Sequence, residues 1–540
     1  MDKRTVLAVV LSLAILMGYQ FYVAKTQPPR TTEVVNQQAV TETAKSDEST
    51  AEIEAGDAPL YQKSLEKMET GKVEGKDIDI ETPLYSATFS TRGAALKSFT
   101  LKNYRQDIEK DSGLIELIEV REGMDYPLTV SFPNSSIDIP TDVVYESDRE
   151  SVDMTMQAEK ERLVFSWSYP GEIEIEKIYT FYPDKYTFDL EVKVRNLSDH
   201  ALRENALLTW NRYIDPEGKK DRYSHEGPVS YIKEDFISEK VKKLGEKKFL
   251  GPDVSWGGFE NKYFLAAMIP EQPSLTGLVV SKDARELVST SLEGPKLVIP
   301  SNQSGIFRYI LYLGPKDYDL LKAENVGLEN AINYGSWIKW LAIPLMTILK
   351  FIYQYVHNYG IAIIILTTLV KLLFWPLGNI SYRSMREMQK LQPQMAKLRE
   401  KYSDDKARLQ QETMALYKVH KVNPMGGCLP MVIQIPVFFG LYRALLYSIE
   451  LRHSEFFFWI QDLSAKDPYY ITPIIMGATM FLQQKMSPTP GGNEMQAKMM
   501  MWMPVIFTFL FLNFPSGLVI YWLFNNLLSI GQQYYINKQT

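Results

Sequence analysis

The sequence predicts a multidomain membrane protein: an N-terminal anchor, a large all-β domain outside the cytoplasm, and an α-helical bundle of five spans carrying a cytoplasmic helical hairpin. Three observations predict it. First, the 540 residues carry their charge unevenly. Residues 336–540 hold 19 Lys and Arg against 10 Asp and Glu, a net of +9, and residues 1–4 add +1; with an overall net of −6, residues 5–335 are left at −16. Second, short stretches of alternating apolar and polar residues fill 59–320. Third, long apolar blocks recur from 351 onward. An acidic body joined to a basic, apolar part fits a membrane protein with one domain on the less positive side of a bilayer, and argues against nucleic-acid or DNA binding. The single cysteine, Cys428, excludes an intrachain disulfide and a Cys/His zinc cluster.

Residues 1–24 read as an uncleaved transmembrane anchor. Lys3 and Arg4 precede an apolar run over 6–23, about 18 residues, just enough for a hydrocarbon core of roughly 30 Å. A cleavable signal peptide needs small residues before the cut, where this chain has Tyr19-Gln20-Phe21-Tyr22. The two basic residues put the N-terminus in the cytoplasm. Residues 25–58 carry almost no large apolar side chains and are expected to form a flexible linker. Residues 59–325 form the β domain. The stretches 163–169, 173–181 and 186–194 alternate strictly, and Gly, Pro and Asn-Asp clusters punctuate them, as in an antiparallel sandwich. No Gly-rich phosphate loop, HExxH or GxSxG occurs, so no catalytic, cofactor or metal site is expected. His200 and His225 are isolated and read as loop residues. The aromatic stretch 256–264 reads as sheet core in preference to a ligand cleft. After Asp317-Tyr-Asp-Leu-Leu-Lys322 the chain turns helical.

Residues 326–350 suit an interfacial amphipathic helix, because Trp337, Trp340, Lys339, Lys350 and Pro344 interrupt its apolar residues. The five-span core follows over 351–540. Its apolar blocks are 351–377, 424–449, 469–483 and 499–530. The last is too long for one span, and Pro515-Ser516-Gly517 divides it into two helices of about 15 residues. Spans that short imply local thinning of the bilayer or strong tilt. The polar stretch 378–423 is rich in Lys and Arg, which places it and the C-terminus in the cytoplasm; the opposite loop, 450–468, is not positive. Met385, Met388, Leu391, Met395 and Leu398 recur at helical spacing. Leu409, Leu416 and Tyr417 do so after Ser403-Asp404-Asp405, which makes a hairpin of two helices. Its methionines either pack mutually or offer an adaptable apolar surface.

Lys371 is the residue most suggestive of function. It lies in the block 351–377, five residues before Pro376. A lysine at the centre of a span costs about 2.5–3.5 kcal/mol. It either snorkels to the nearby interface or faces a wet cavity. No span carries a good carboxylate partner for it. Gln434, Gln483, Gln484, Asn525 and Asn526 put further polar groups in the spans, which favours the cavity.

Here the residues resemble a known family. Asn423-Pro-Met-Gly-Gly-Cys-Leu-Pro430 with Gln434-Ile-Pro436, Asp462-Leu-Ser-Ala-Lys-Asp-Pro-Tyr-Tyr470, Gln484-Lys-Met-Ser-Pro488 and Phe514-Pro-Ser-Gly-Leu518 are similar to the YidC/Oxa/Alb insertases. The anchor, the long outer domain and Leu313-Gly-Pro-Lys316 resemble the Gram-negative form. The resemblance implies a non-enzymatic insertase and chaperone of the cell inner membrane. Its periplasmic domain would be a β-supersandwich, and a hydrophilic groove would open to cytoplasm and lipid. Lys371 stands where relatives usually carry arginine, which keeps the charge and loses the forked donor geometry. The family's groove positions fall on Thr367, Gln434, Phe438, Tyr521 and Trp522. The implied partners are nascent integral membrane proteins, the Sec translocon with its SecD and SecF components, the ribosome and signal recognition pathway, and membrane lipids. Two other classes compete. A transporter or channel would want inverted repeats or a continuous pore. A membrane hydrolase would pair a lysine with Ser448 or Ser529, neither of which sits in a nucleophile motif.

Overall fold

The computed structural model describes residues 75–538, apart from 110, 120–123, 134, 138, 216–224, 246, 336, 404, 421, 423–428 and 487–493. The expected anchor and linker lie outside the described residues.

Alternation drives the β domain. In the strand Ile173–Phe181 every odd position is buried, and Thr187–Asn196 pairs with it antiparallel in the register Phe188↔Phe181 to Asn196↔Ile173. These strands belong to a nine-stranded sheet. Its order runs Asp235–Ser238, Gly227–Ile232, Val254–Glu260, Phe264–Pro270, Ser304–Pro315, Thr187–Asn196, Ile173–Phe181, Glu161–Tyr169 and Glu146–Ser147. Two five-stranded sheets pack on it. One, centred on Tyr85–Ser90, sends Phe89 among Phe165, Tyr179, Phe181 and Phe188, with the Phe89–Tyr179 centroids 4.6 Å apart. The other is centred on Leu287–Glu293. It sends Leu278 from its neighbouring strand against Gly257, where any side chain would collide with it. Trp256, Phe259 and Phe264 are buried, so the aromatic stretch is sheet core. The same alternation forces Lys177 inward. Its Nζ donates to the Gly93 carbonyl at 2.6 Å and stands 5.0 Å from the centre of the Tyr145 ring. Burial pushes its pKa down to about 7.

A short helix, α1 (Tyr318–Ala323), closes the domain. Asp317 caps it, accepting from the Asp319 and Leu320 amides. The helical half follows as α2 (Lys339–Val356), α3 (Tyr359–Leu373), α4 (Trp375–Lys401), α5 (Lys406–Val419), α6 (Leu429–Tyr447), α7 (Ile471–Met486), α8 (Glu494–Phe511) and α9 (Ser516–Lys538). The amphipathic helix continues to Val356, past residue 350 where it was expected to end. His357 then adopts a left-handed conformation, and Asn358 caps α3 through the Ile361 amide. Local capping chemistry, invisible to hydropathy, sets that boundary. Between α3 and α4 the chain bends by 66° at Phe374, with Pro376 in the first turn of α4, where its missing N–H costs nothing. Among the described residues no single helix is long and apolar enough to cross a membrane by itself; α3 and α4 together reach that length and composition. The 15 residues of α3 rise only about 22 Å. Helices α4 and α5 pack on each other through Leu391, Met395 and Tyr417, with Met388 and Leu416 alongside.

Two polar joints tie the domain to the bundle. Lys350 of α2 gathers Glu450 at 2.6 Å, Asp319 at 2.9 Å and Asp317 at 3.2 Å. Burial by itself would lower the lysine's pKa, but the three carboxylates outweigh it and hold the ammonium charged, well above its ordinary value. Arg452, in the segment between α6 and α7, donates to the carbonyls of Arg105 and Gln106 at 2.6 and 2.9 Å and faces the rings of Tyr263 and Phe264.

Candidate functional site

Helices α3, α4, α6 and α9 enclose a cavity of about 40 Å³. That is room for about three waters, and the walls are mixed in character. Thr367, Lys371, Tyr382, Gln434, Asn525 and Gln532 are the polar groups, and Val370, Phe374, Val437 and Tyr521 the larger apolar or aromatic ones.

The lysine is held by a neutral group. Its Nζ donates to Ser529 Oγ at 2.7 Å. Among the described residues no carboxylate lies within ion-pair reach of it. The Ser529 hydroxyl donates in turn to the Asn525 carbonyl one helical turn back, at 2.7 Å. The single hydroxyl proton is therefore committed to the helix, and the ammonium occupies a lone pair. That polarity is opposite to a serine nucleophile giving its proton to a lysine base. Tyr382 of α4 lines the same cavity. Gln532 locks the far end of the cavity, donating to the Trp375 carbonyl at 3.0 Å and to Asn379 Oδ1 at 2.9 Å. Gly378 permits this crossing, because a Cβ there would stand 2.7 Å from the Gln532 amide nitrogen.

Four of the six expected site residues meet at the cavity: Lys371, Thr367, Gln434 and Tyr521. Thr367 is buried and donates its hydroxyl to the Ile363 carbonyl, while Gln434 and Tyr521 both line the cavity from facing helices. The other two lie outside the lining. Phe438 and Trp522 meet edge to face at 4.7 Å and continue into an aromatic cluster with Phe507 and Phe511. Helix α9 is thus divided along its length. Residues 518–521 and 523 are buried among apolar and aromatic side chains, with Trp522 half-buried, and Asn525, Asn526, Ser529, Gln532 and Gln533 follow. Sequence reasoning missed Tyr382 and Gln532 as site residues. The recurrence of 525, 529 and 532 on one helical face was the available signal for the latter; nothing local marked Tyr382.

The structure thus joins a large β domain to a bundle of short helices around a polar cavity. Residues 77–348 match the family described as YidC periplasmic domain, and residues 351–540 match the 60Kd inner membrane protein family. A membrane protein insertase YidC of Syntrophus aciditrophicus is 61% identical over all of both chains. One of Geobacter metallireducens is 44% identical over all of this chain and 98% of its own. A crystal structure of an active YidC insertase with its first transmembrane domain resolved is similar over 86% of this chain and 95% of that chain, at 21% identity and a TM-score of 0.36. The chain belongs to the YidC family of membrane protein insertases. It is an inner-membrane protein with a periplasmic domain, and its family is one of insertases, not of enzymes.

Proposed function

We propose that this protein inserts and helps fold integral membrane proteins, alone or with the Sec translocon, by receiving their polar segments in a groove built on the α3–α4–α6–α9 cavity. The observation that carries this reading is Lys371, a cation held by one neutral hydroxyl beside a polar cavity. Leu369, Leu372 and Leu373 of the same helix are exposed, as lipid-facing residues would be. The groove opens to the cytoplasm and to lipid. Thr367, Gln434 and Tyr521 line it, and Phe438 and Trp522 close its periplasmic end. The hairpin of α4 and α5 lies in the cytoplasm, both termini lie on that side, and the anchor and five spans make six crossings.

The work required is to move a polar tail across hydrocarbon. A wet cavity between short helices shortens the dry path. An acidic tail exchanges the Ser529 hydroxyl for a carboxylate at Lys371. The attached apolar segment then leaves sideways into lipid, driven by about 25 cal/mol per Å² of buried apolar surface. An acidic residue moving outward gains about 2.3 kcal/mol per 100 mV of membrane potential. The test is the purified full chain in liposomes, given a small membrane-protein substrate, a panel of solutes and a peptide. Protease-protected substrate without solute flux or peptide cleavage is the expected result. Flux without insertion would replace this reading with a channel.

A further inference from the structure

The segment between α6 and α7 holds Phe456-Phe-Phe-Trp459, and its four rings divide into two pairs. Phe456 and Trp459 are anchors. Phe456 packs against Gly360 so closely that a Cβ on that glycine would collide with its ring, and its carbonyl accepts from Asn358. The Trp459 indole donates to Asp467 at 3.0 Å, and Asp467 also receives the Tyr469 and Thr472 amides at the start of α7. The Phe456 amide donates to the Ile460 carbonyl, closing a tight turn. Phe457 and Phe458 form its tip; Phe457 is half-exposed with its ring centre 4.7 Å from that of Phe456, and Phe458 is almost fully exposed.

Phe458 is 91% exposed and has φ of 59°. A bulky residue in the left-handed region is a genuine outlier, and a turn tip in water would carry Gly or Asn there. Here the fold holds strained backbone to present a ring that sits beside the anchoring Trp459, centroids 5.9 Å apart, with its outer face open. The side of the bilayer is fixed independently, since Arg452 of the same segment grips the periplasmic domain. The depth is fixed by Trp459, which ties the tip to the first turn of α7. Tyr469 just before that turn and Ile474 and Ile475 within α7 are exposed apolar side chains. An exposed aromatic tied to a helix with exposed apolar side chains is the chemistry of the headgroup–acyl boundary.

We propose that the Phe457–Phe458 tip is a lipid-inserting wedge, which enters the periplasmic leaflet and sets the depth at which the cap of the bundle rides. The occupant is lipid, because the exposed tip is tied through Trp459 and Asp467 to the start of a helix whose Ile474 and Ile475 are exposed apolar side chains.

The experiment uses the full chain in vesicles of phosphatidylethanolamine and phosphatidylglycerol. Phe458→Cys, in a Cys428→Ala background, carries a small fluorophore, and Leu275→Cys, exposed on the periplasmic domain, is the control. A spin label high on the acyl chain should quench the probe at 458 several-fold more than at 275, and aqueous iodide should do the reverse. In the unmodified protein, a carbene precursor carried on an acyl chain should label the peptide spanning 456–460, which guards against misfolding of the variant. Equal iodide quenching at both sites, with no labelling of that peptide, overturns the proposal. So does labelling that appears only when a second protein is present, since the occupant would then be protein.

Discussion

At residue 371 the charge matters and the shape is secondary, because the partner is a single hydroxyl that asks for no forked geometry. Lys371→Arg is expected to retain insertion. Lys371→Ala should slow a substrate with an acidic translocated tail about tenfold, the equivalent of one charge-assisted hydrogen bond. Lys371→Glu should be slower still, by repelling the same tail. Two reconstituted substrates differing only in tail charge make the measurement, and equal rates for Lys, Ala and Glu would show that the residue merely snorkels. Lys177 is a different case, a core position occupied by an ionisable group. Its folded pKa of about 7 lies below the 10.5 of an exposed lysine, so between those values the unfolded chain binds the extra proton and stability rises with pH. Below about 7 the full cost of burying the charge is present. Lys177→Met should therefore stabilise the domain at neutral pH by about 1–3 kcal/mol, with the advantage shrinking toward pH 10. Hydrogen exchange of the sheet amides at two pH values checks it. An advantage that grows with pH would contradict the assignment.

Among the elements, the pairing of α4 with α5 rests on few contacts, chiefly Leu391, Met395 and Tyr417. Leu391→Asp should separate the two helices at a cost of about 2–4 kcal/mol, exposing 385–419 to protease while the bundle stays intact. Deleting 384–418 should abolish insertion; normal insertion by that deletion would remove the hairpin from the receiving path. The β strands were legible because period-two alternation is local. The expected strand over 173–181 coincides with Ile173–Phe181, whereas helix was expected only after Lys322 and begins at Tyr318 under the Asp317 cap. The same local chemistry hid the α2–α3 boundary, where one asparagine cap outweighs continuous hydropathy. Of the site, a lysine among apolar residues announces itself. Its holder does not, since Ser529 is 158 residues away and looks like any helical serine until α3 and α9 cross. Phe438 and Trp522 were grouped with the polar positions by resemblance; their place in a separate aromatic cluster depends on which faces of α6 and α9 meet.

On the scale of the whole molecule, the periplasmic domain is a seated body with no reaction chemistry of its own in the sequence. Deleting about 60–310 should leave insertion largely intact in a reconstituted assay, provided the anchor, Asp317 and Asp319 are kept, because Lys350 then retains all three of its carboxylates. Complete loss of insertion by a stable, correctly oriented deletion would assign the domain an essential part. The two joints differ in what they require of the surface they grip. The Lys350 joint reads side chains, so replacing Asp319 or Glu450 weakens it. The Arg452 joint takes its hydrogen bonds from main-chain oxygens of residues 105 and 106, with the Tyr263 and Phe264 rings beside the guanidinium. Every amino acid supplies that oxygen, so the hairpin tip of the β domain can drift through many sequences without loosening its seat. Selection for a seated domain would then be felt on the arginine and on the two rings it faces, and a chain that lost Arg452 could not recover the hydrogen bonds by any change at residues 105 and 106.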